Sequence, residues 1–181
     1  MRDKKGMGLV VILAILLTFS ISGEAAMIVT STSYPQGGTI PQRYVMPSIG
    51  GENISPEFSW KDYPEGTRSF ALIMYDPHPI ARDWVHWAVI NIPAQITTLP
   101  EGISGKGTLP ITELINSFGF KGYGGPQPPR GTGPHPYVTK IFALDVETIN
   151  MPPRPSYKEF VEALEPHILD EASYTGYFEQ K

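Results

Sequence analysis

The chain has 181 residues, 41% of them hydrophobic, with a formal net charge of −4 and no cysteine. That length and apolar fraction suit one domain with a core large enough to need no staples. An acidic balance without a Lys/Arg cluster excludes a nucleic-acid footprint or a basic membrane-surface patch, and the missing cysteine excludes disulfides, thiol catalysis and zinc–thiolate sites.

Residues 1–25 read as a secretory leader. Arg2, Lys4 and Lys5 are basic, Leu9–Phe19 is an apolar run of eleven, and Ser22, Gly23, Ala25 and Ala26 are small. The run falls short of the roughly twenty residues of a transmembrane helix. Cleavage is expected after Ala25, the alternative being an uncleaved N-terminal anchor. The expected product is periplasmic or secreted, with no stable membrane insertion once the leader is gone, and residues 26–181 are its one domain.

The 18 Gly and 19 Pro are dispersed without a period between short apolar runs, which predicts many turns and a mainly β domain. Ala26–Ile40 reads as a strand and a turn. Asn53–Trp60 is a short extended piece, because Ser55 precedes a proline. Phe70–Asp76 is apolar on both faces, as in a strand inside a packed sheet. Trp84–Pro93 is a second apolar strand; alternation puts Trp84, His86, Ala88 and Ile90 on one face and Val85, Trp87 and Val89 on the other. Residues 94–136 are irregular apart from a short turn near Ile111–Asn116, and so long a connection is usually functional. Tyr137–Asp145 is a third strong strand. Ser156–Glu159 is a capping box, and Phe160, Val161, Leu164, Ile168 and Leu169 follow at helical spacing, with Pro166 kinking or dividing the helix. The layout is a β-sandwich with an appended C-terminal helical segment.

Three polar clusters sit beside the strong strands: DPHP (Asp76–Pro79), WVHW (Trp84–Trp87) and GPHPY (Gly133–Tyr137). If the strands are neighbours, these ends can line one pocket. The stretch GGPQPPRGTGPHPY, Gly124–Tyr137, is nine parts in fourteen Gly or Pro. Such a loop makes a wall that is already ordered, so binding against it costs less entropy. His86 and His135 can donate from a ring nitrogen or carry charge. Asp76 can fix a histidine tautomer, Tyr137 can donate its hydroxyl, and Trp84 can form an apolar floor. Arg130 is the nearest cation of the loop and could close over a ligand. His167 reads as structural.

The ordered motifs NISPEFSW, FALIMYDPHP, WVHWAVINIP, FGFKGYGGPQPP and GTGPHPY resemble the phosphatidylethanolamine-binding protein family, which includes Raf kinase inhibitor protein, and most closely its short bacterial branch. The likeness runs from about Ser31 to the C-terminus. It implies a two-sheet antiparallel β-sandwich of Greek-key character with a small anion pocket. By that resemblance Asp76, Trp84, His86, Gly125, Pro128, His135 and Tyr137 fall on ligand-binding positions. Two positions depart from the family pattern. His78 replaces the second Asp of a DPD-type motif, adding a titratable group at the rim. Gln127 stands where bacterial relatives commonly carry Cys.

The resemblance implies a non-enzymatic binding protein without cofactor. Its ligand would be a small phosphorylated or otherwise anionic group or a phospholipid headgroup, and its rim could serve a protein partner, as in kinase or protease inhibitors of the family. Two other readings stand beside it: a metal-assisted hydrolase using Asp76, His86 and His135, which lacks any close-spaced ligand pair such as HExxH, and a partner-binding inhibitor with a vestigial pocket.

Overall fold

A computed structural model describes residues 26–181; the expected leader and its cleavage site lie outside the described residues apart from Ala26. Eight strands and one α-helix follow in order: β1 (Ile28–Thr30), β2 (Phe58–Lys61), β3 (Ser69–Asp76), β4 (Trp84–Pro93), β5 (Thr98–Leu99), β6 (Thr112–Glu113), β7 (His135–Leu144), α1 (Tyr157–Leu164) and β8 (Ile168–Phe178). They form a three-stranded sheet, β1-β2-β5, and a five-stranded sheet, β6-β4-β3-β7-β8. Every pairing between these strands is antiparallel. In the larger sheet β3, β4 and β6 lie side by side and β7 returns to the free side of β3, which is Greek-key order.

The core is double. One apolar cluster fills the space between the sheets, with Phe58, Trp60 and Leu99 facing Phe70, Leu72, Met74, Trp87, Val89, Tyr137 and Ile141. A second lies on the outer face of the five-stranded sheet, where Ala71, Ile73, Ala88, Ile90, Phe142 and Leu144 meet Phe160 and Leu164 of α1. This explains why β3 has no polar face: all eight of its residues are buried. The helix starts at the expected capping box, where the Ser156 hydroxyl accepts from the Glu159 N–H and the Glu159 carboxylate accepts from the Ser156 N–H.

Two expectations are corrected. The helix ends at Leu164, and Glu165–His167 make a single 3-10 turn around Pro166. Ile168 and Leu169 then begin the longest strand of the fold, not a second helical turn. Its burial alternates, with Tyr174, Gly176 and Phe178 turned inward and Ser173 and Tyr177 outward, so the governing period is two. Gly176 is required there: a Cβ would lie 2.5 Å from the Tyr34 ring and 2.6 Å from Ile40. The other correction concerns the faces of β4. Val85 packs with Ala88 and Ile90 in the outer cluster, while Trp87 and Val89 pack between the sheets. The pairing shifts by one residue where Met74 faces Trp87 but Tyr75 faces Val85. A bulge at His86–Trp87 therefore breaks strict alternation and re-aims the side chains on either side.

The outer cluster is pinned by one large side chain from α1. Replacing it (Phe160→Ala) should lower the unfolding free energy by about 3–5 kcal/mol in a urea titration.

Candidate functional site

β3 ends at Asp76, β4 begins at Trp84 and β7 begins at His135. Because β3 lies between β4 and β7, with Asp76 paired to Trp84 and Tyr75 to Val138, all three polar clusters reach the same end of the sheet. They open onto a cleft of about 760 Å³ whose lining includes Asp76, Trp84, His86, Gln127, Pro128, His135 and Tyr137. Seven of the nine residues expected from the sequence thus surround one space.

Gly125 and His78 do not line the cleft, and each has another position. A Cβ on Gly125 would come within 2.2 Å of the Tyr44 carbonyl oxygen, so this glycine lets the Pro/Gly stretch lie flat against the backbone of Tyr44 and Val45. Its N–H donates to the Asn53 side chain at 2.7 Å, and the next residue accepts from the Met46 N–H at 3.1 Å. Gly125 shapes the wall from behind. His78 stacks on His135, with ring centroids 3.7 Å apart, and its backbone N–H donates to Asp76 at 2.9 Å.

The buried polar centre is a pair. Asp76 and His135 are 3% and 1% exposed, and the Asp76 Oδ2 lies 2.6 Å from His135 Nδ1. A carboxylate out of water needs such a partner, because an isolated buried charge is costly. The second ring nitrogen of His135 is 2.9 Å from the Thr132 hydroxyl, which itself donates to the Pro129 carbonyl at 2.7 Å. Both nitrogens of His135 are therefore engaged within the protein. The expectation that this ring donates to a ligand is replaced by a role in holding Asp76 and the Gly131–Gly133 turn.

His86 is gripped twice by Gly124. The Gly124 N–H donates to the His86 carbonyl at 2.8 Å, and His86 Nδ1 lies 2.6 Å from the Gly124 carbonyl oxygen. A carbonyl only accepts, so Nδ1 carries the proton and, in the neutral ring, Nε2 is a bare acceptor. The ring packs edge-on against Tyr137 and Phe118, at 5.0 and 5.5 Å. Burial pushes its pKa from 6.5 down to about 4, against the opposing pull of the Gly124 carbonyl and the Asp76 charge. His86 is thus a neutral acceptor near pH 7 and not the donor expected from its type. Burial, reinforced by Asp76, raises the pKa of Tyr137, so its hydroxyl keeps its proton and can donate.

The mouth is largely apolar and holds residues that sequence reasoning did not single out. Ile80 is 56% and Trp84 39% exposed, and Phe118 sets its ring against Trp84 at 5.4 Å. Arg82 lines the cleft, whereas Arg130 is exposed and does not. Arg82 and Asp83 both have positive φ, 54° and 59°, a left-handed conformation that is costly for residues with side chains. Nothing in DPHPIARDW announces that turn. Phe118 lies within FGFKGYGG, but its place depends on Ser117 pairing with Val85 along the edge of β4, a contact 32 residues distant. Among the described residues no group of three His, Cys, Asp or Glu side chains is placed to hold a metal ion; Asp76 and His135 are spent on each other.

The comparisons with known proteins agree with this architecture. The sequence model for phosphatidylethanolamine-binding protein matches residues 30–179. A UPF0098 protein of Aquifex aeolicus is 41% identical over 165 residues, covering 88% of this chain and 92% of its own. Among solved structures, Escherichia coli YbcL, a member of the mammalian PEBP family, superposes with a TM-score of 0.79 at 36% identity, covering 87% of this chain and all of its own. A homologue from Chlamydia trachomatis, CT736, gives 0.72 at 31%, covering 86% and 99%. The chain is therefore a β-sandwich protein of the PEBP type. It belongs to the phosphatidylethanolamine-binding protein family.

The state of His86 makes a prediction about stability. Its folded pKa is below its unfolded value, so the unfolded chain binds the extra proton first. Stability is full above pH 6.5 and is lost as pH falls toward 4. The loss from this group should reach about 3 kcal/mol at pH 4, and a His86→Phe variant should lack that component when unfolding is followed by urea at both pH values.

Proposed function

We propose that the protein is an exported, non-enzymatic binding protein whose cleft takes a phosphate-like group, free or on a phospholipid headgroup, and whose rim can engage a protein partner. The observation that carries this reading is the convergence of Tyr137, His86 and the Asp76–His135 pair on one cleft, with Arg82 in its wall. Tyr137 supplies a proton donor and Arg82 a charge, while the prolines at 128 and 129 hold the wall in place before a ligand arrives. The leader-like residues 1–25 support export.

The site is poorly furnished for hydrolysis. The nearest hydroxyl to His135, that of Thr132, is held to the Pro129 carbonyl, and the sequence has no G-x-S-x-G elbow. The apolar mouth, with Ile80, Trp84 and Phe118 partly open, suits contact with a ligand's apolar portion or with a partner's surface.

Inorganic phosphate or O-phosphoethanolamine should raise the melting temperature of residues 26–181 saturably. At a hundred times the dissociation constant the stabilisation is about 2.7 kcal/mol. Tyr137→Phe, which keeps the ring and removes the donor, should weaken that response. No rise at millimolar ligand would sink the anion-pocket reading and favour a partner-binding scaffold.

A further inference from the structure

The inward side of β8 carries one carboxylate. Tyr174, Gly176 and Phe178 turn into the sandwich, and by the same alternation Ala172 and Asp170 share their face. Asp170 is half-buried there. Its Oδ2 accepts the Met27 N–H at 2.8 Å and its Oδ1 accepts the Glu171 N–H at 2.8 Å. Both donors are neutral amides. The acidic residues around it are matched by cations: Glu171 has Lys140 at 2.6 Å, Asp145 has His167 at 2.9 Å and Asp62 has Lys61 at 3.7 Å. Among the described residues no basic side chain pairs with Asp170. A carboxylate drawn away from water gains most from a charged donor.

Met27 shows where such a donor can come from. Its side chain is 4% exposed, in the core between the sheets, and β1 is paired to β2 from Ile28 onward. Ala26 is exposed, and it is the first residue after the expected leader. In the uncut chain its nitrogen is a neutral amide. Hydrolysis of the Ala25–Ala26 bond leaves the new carboxylate on the departing leader and a free amino group on Ala26. That group holds a proton near neutrality, its ordinary pKa being about 7.7–8.0. Successive main-chain nitrogens are at most about 3.7 Å apart, so the ammonium forms one short step from the nitrogen that Asp170 already binds.

We propose that Asp170 is the docking site for the amino terminus made by leader cleavage: the new ammonium pairs with its carboxylate and ties the start of β1 to β8 by charge as well as by the Met27 hydrogen bond. The processed domain is thereby more stable than the same domain with residue 26 still acylated. This rests on the reading of residues 1–25 as a cleaved leader and states what cleavage does for the fold. The site tolerates a shift of one residue, since cleavage after Ala26 would place the ammonium on the Met27 nitrogen itself, against the same oxygen. A terminus left further upstream would carry its charge away. The other charged groups near the site are engaged. Lys61, the partner of Ile28, pairs with Asp62 at the end of β2, Glu171 with Lys140 of β7, and Asp145 after β7 with His167 before β8.

The test compares residues 26–181 beginning at a free Ala26 with the same chain acetylated at that nitrogen, each with Asp170 and as Asp170→Asn. The α-amino pKa, followed by NMR at Ala26, should stand about 0.5–1 unit above that of the urea-unfolded chain, and Asp170→Asn should remove the rise. At pH 6.5 and low salt the free terminus should melt about 1–3 °C above the acetylated one. With the folded pKa raised, this gain is full below the unfolded value and is lost as pH rises through the folded one, so the two forms should melt together by about pH 9.5. Molar salt should also close the gap, a readout that needs no variant. An unshifted α-amino pKa, a gap indifferent to salt, or an equal effect of acetylation in Asp170→Asn would overturn the proposal. N-terminal sequencing of the exported protein separates it from the leader reading. A start at residue 26 or 27 supports both. A start at 26 with no coupling to Asp170 overturns the docking alone. Coupling in the purified domain with a native start elsewhere overturns the cleavage position, and the role in maturation with it.

Discussion

β3 is covered on one side by the three-stranded sheet and on the other by α1, so each of its eight residues is buried. A strand in that position can carry polar groups only where its neighbours run out. Asp76 is its last residue, and β7 places His135 beside it at the matching end. The carboxylate is stable in so dry a place because the imidazole and the His78 N–H satisfy both oxygens. From that pair the rest of the site follows. Thr132 closes on the far nitrogen of His135 and holds the Gly131–Gly133 turn. The prolines before it become a wall, and the β4 bulge sets His86 toward Tyr137 across the floor.

The Pro/Gly stretch acquires its shape from contacts far away in sequence. Residues 125 and 126 rest on Tyr44, Val45, Met46 and Asn53 through close backbone approach and hydrogen bonds. The loop is thus rigid for two reasons: proline restricts its torsions, and a second loop supports it from behind. Gly125 belongs to that support. Its importance is steric, since even a methyl group would collide with the Tyr44 carbonyl.

What could be read from the sequence had a strong local signature. β3, β4 and β7 are dense apolar runs, and the start of α1 is written in Ser156 and Glu159. The site residues at strand ends were legible because histidine and aspartate are conspicuous between apolar runs and prolines. β8 was hidden: Ile168-Leu169 continues the helical spacing of Phe160 and Leu164, and the inward positions of the following residues include a glycine and an alanine, whose small size masks the alternation. β5 and β6 are two residues each, too short for any period to show. The faces of β4 were misread because a bulge is a property of two paired strands. The proton arrangement at His86 was beyond reach for a similar reason. It depends on a carbonyl 38 residues away, as the cleft-lining position of Arg82 depends on a left-handed turn.

β8 also binds the two ends of the domain together. It pairs with β7 along its length on one side. On the other, Gly37 donates to Thr175 and Ile40 to Tyr177, while the Met27 N–H donates to Asp170. The first and last segments of the domain are thus sewn to one strand across separations of about 140 residues. Such a topology has high contact order, and the entropy of closing so long a loop falls due before the contacts that compensate it. Tyr34 packs on Tyr44 and Phe58 as well as on Tyr174 of β8, and Gly176 leaves the space that its ring and Ile40 occupy. The N-terminal segment of the domain thus finds its main-chain partners only once β8 is in place.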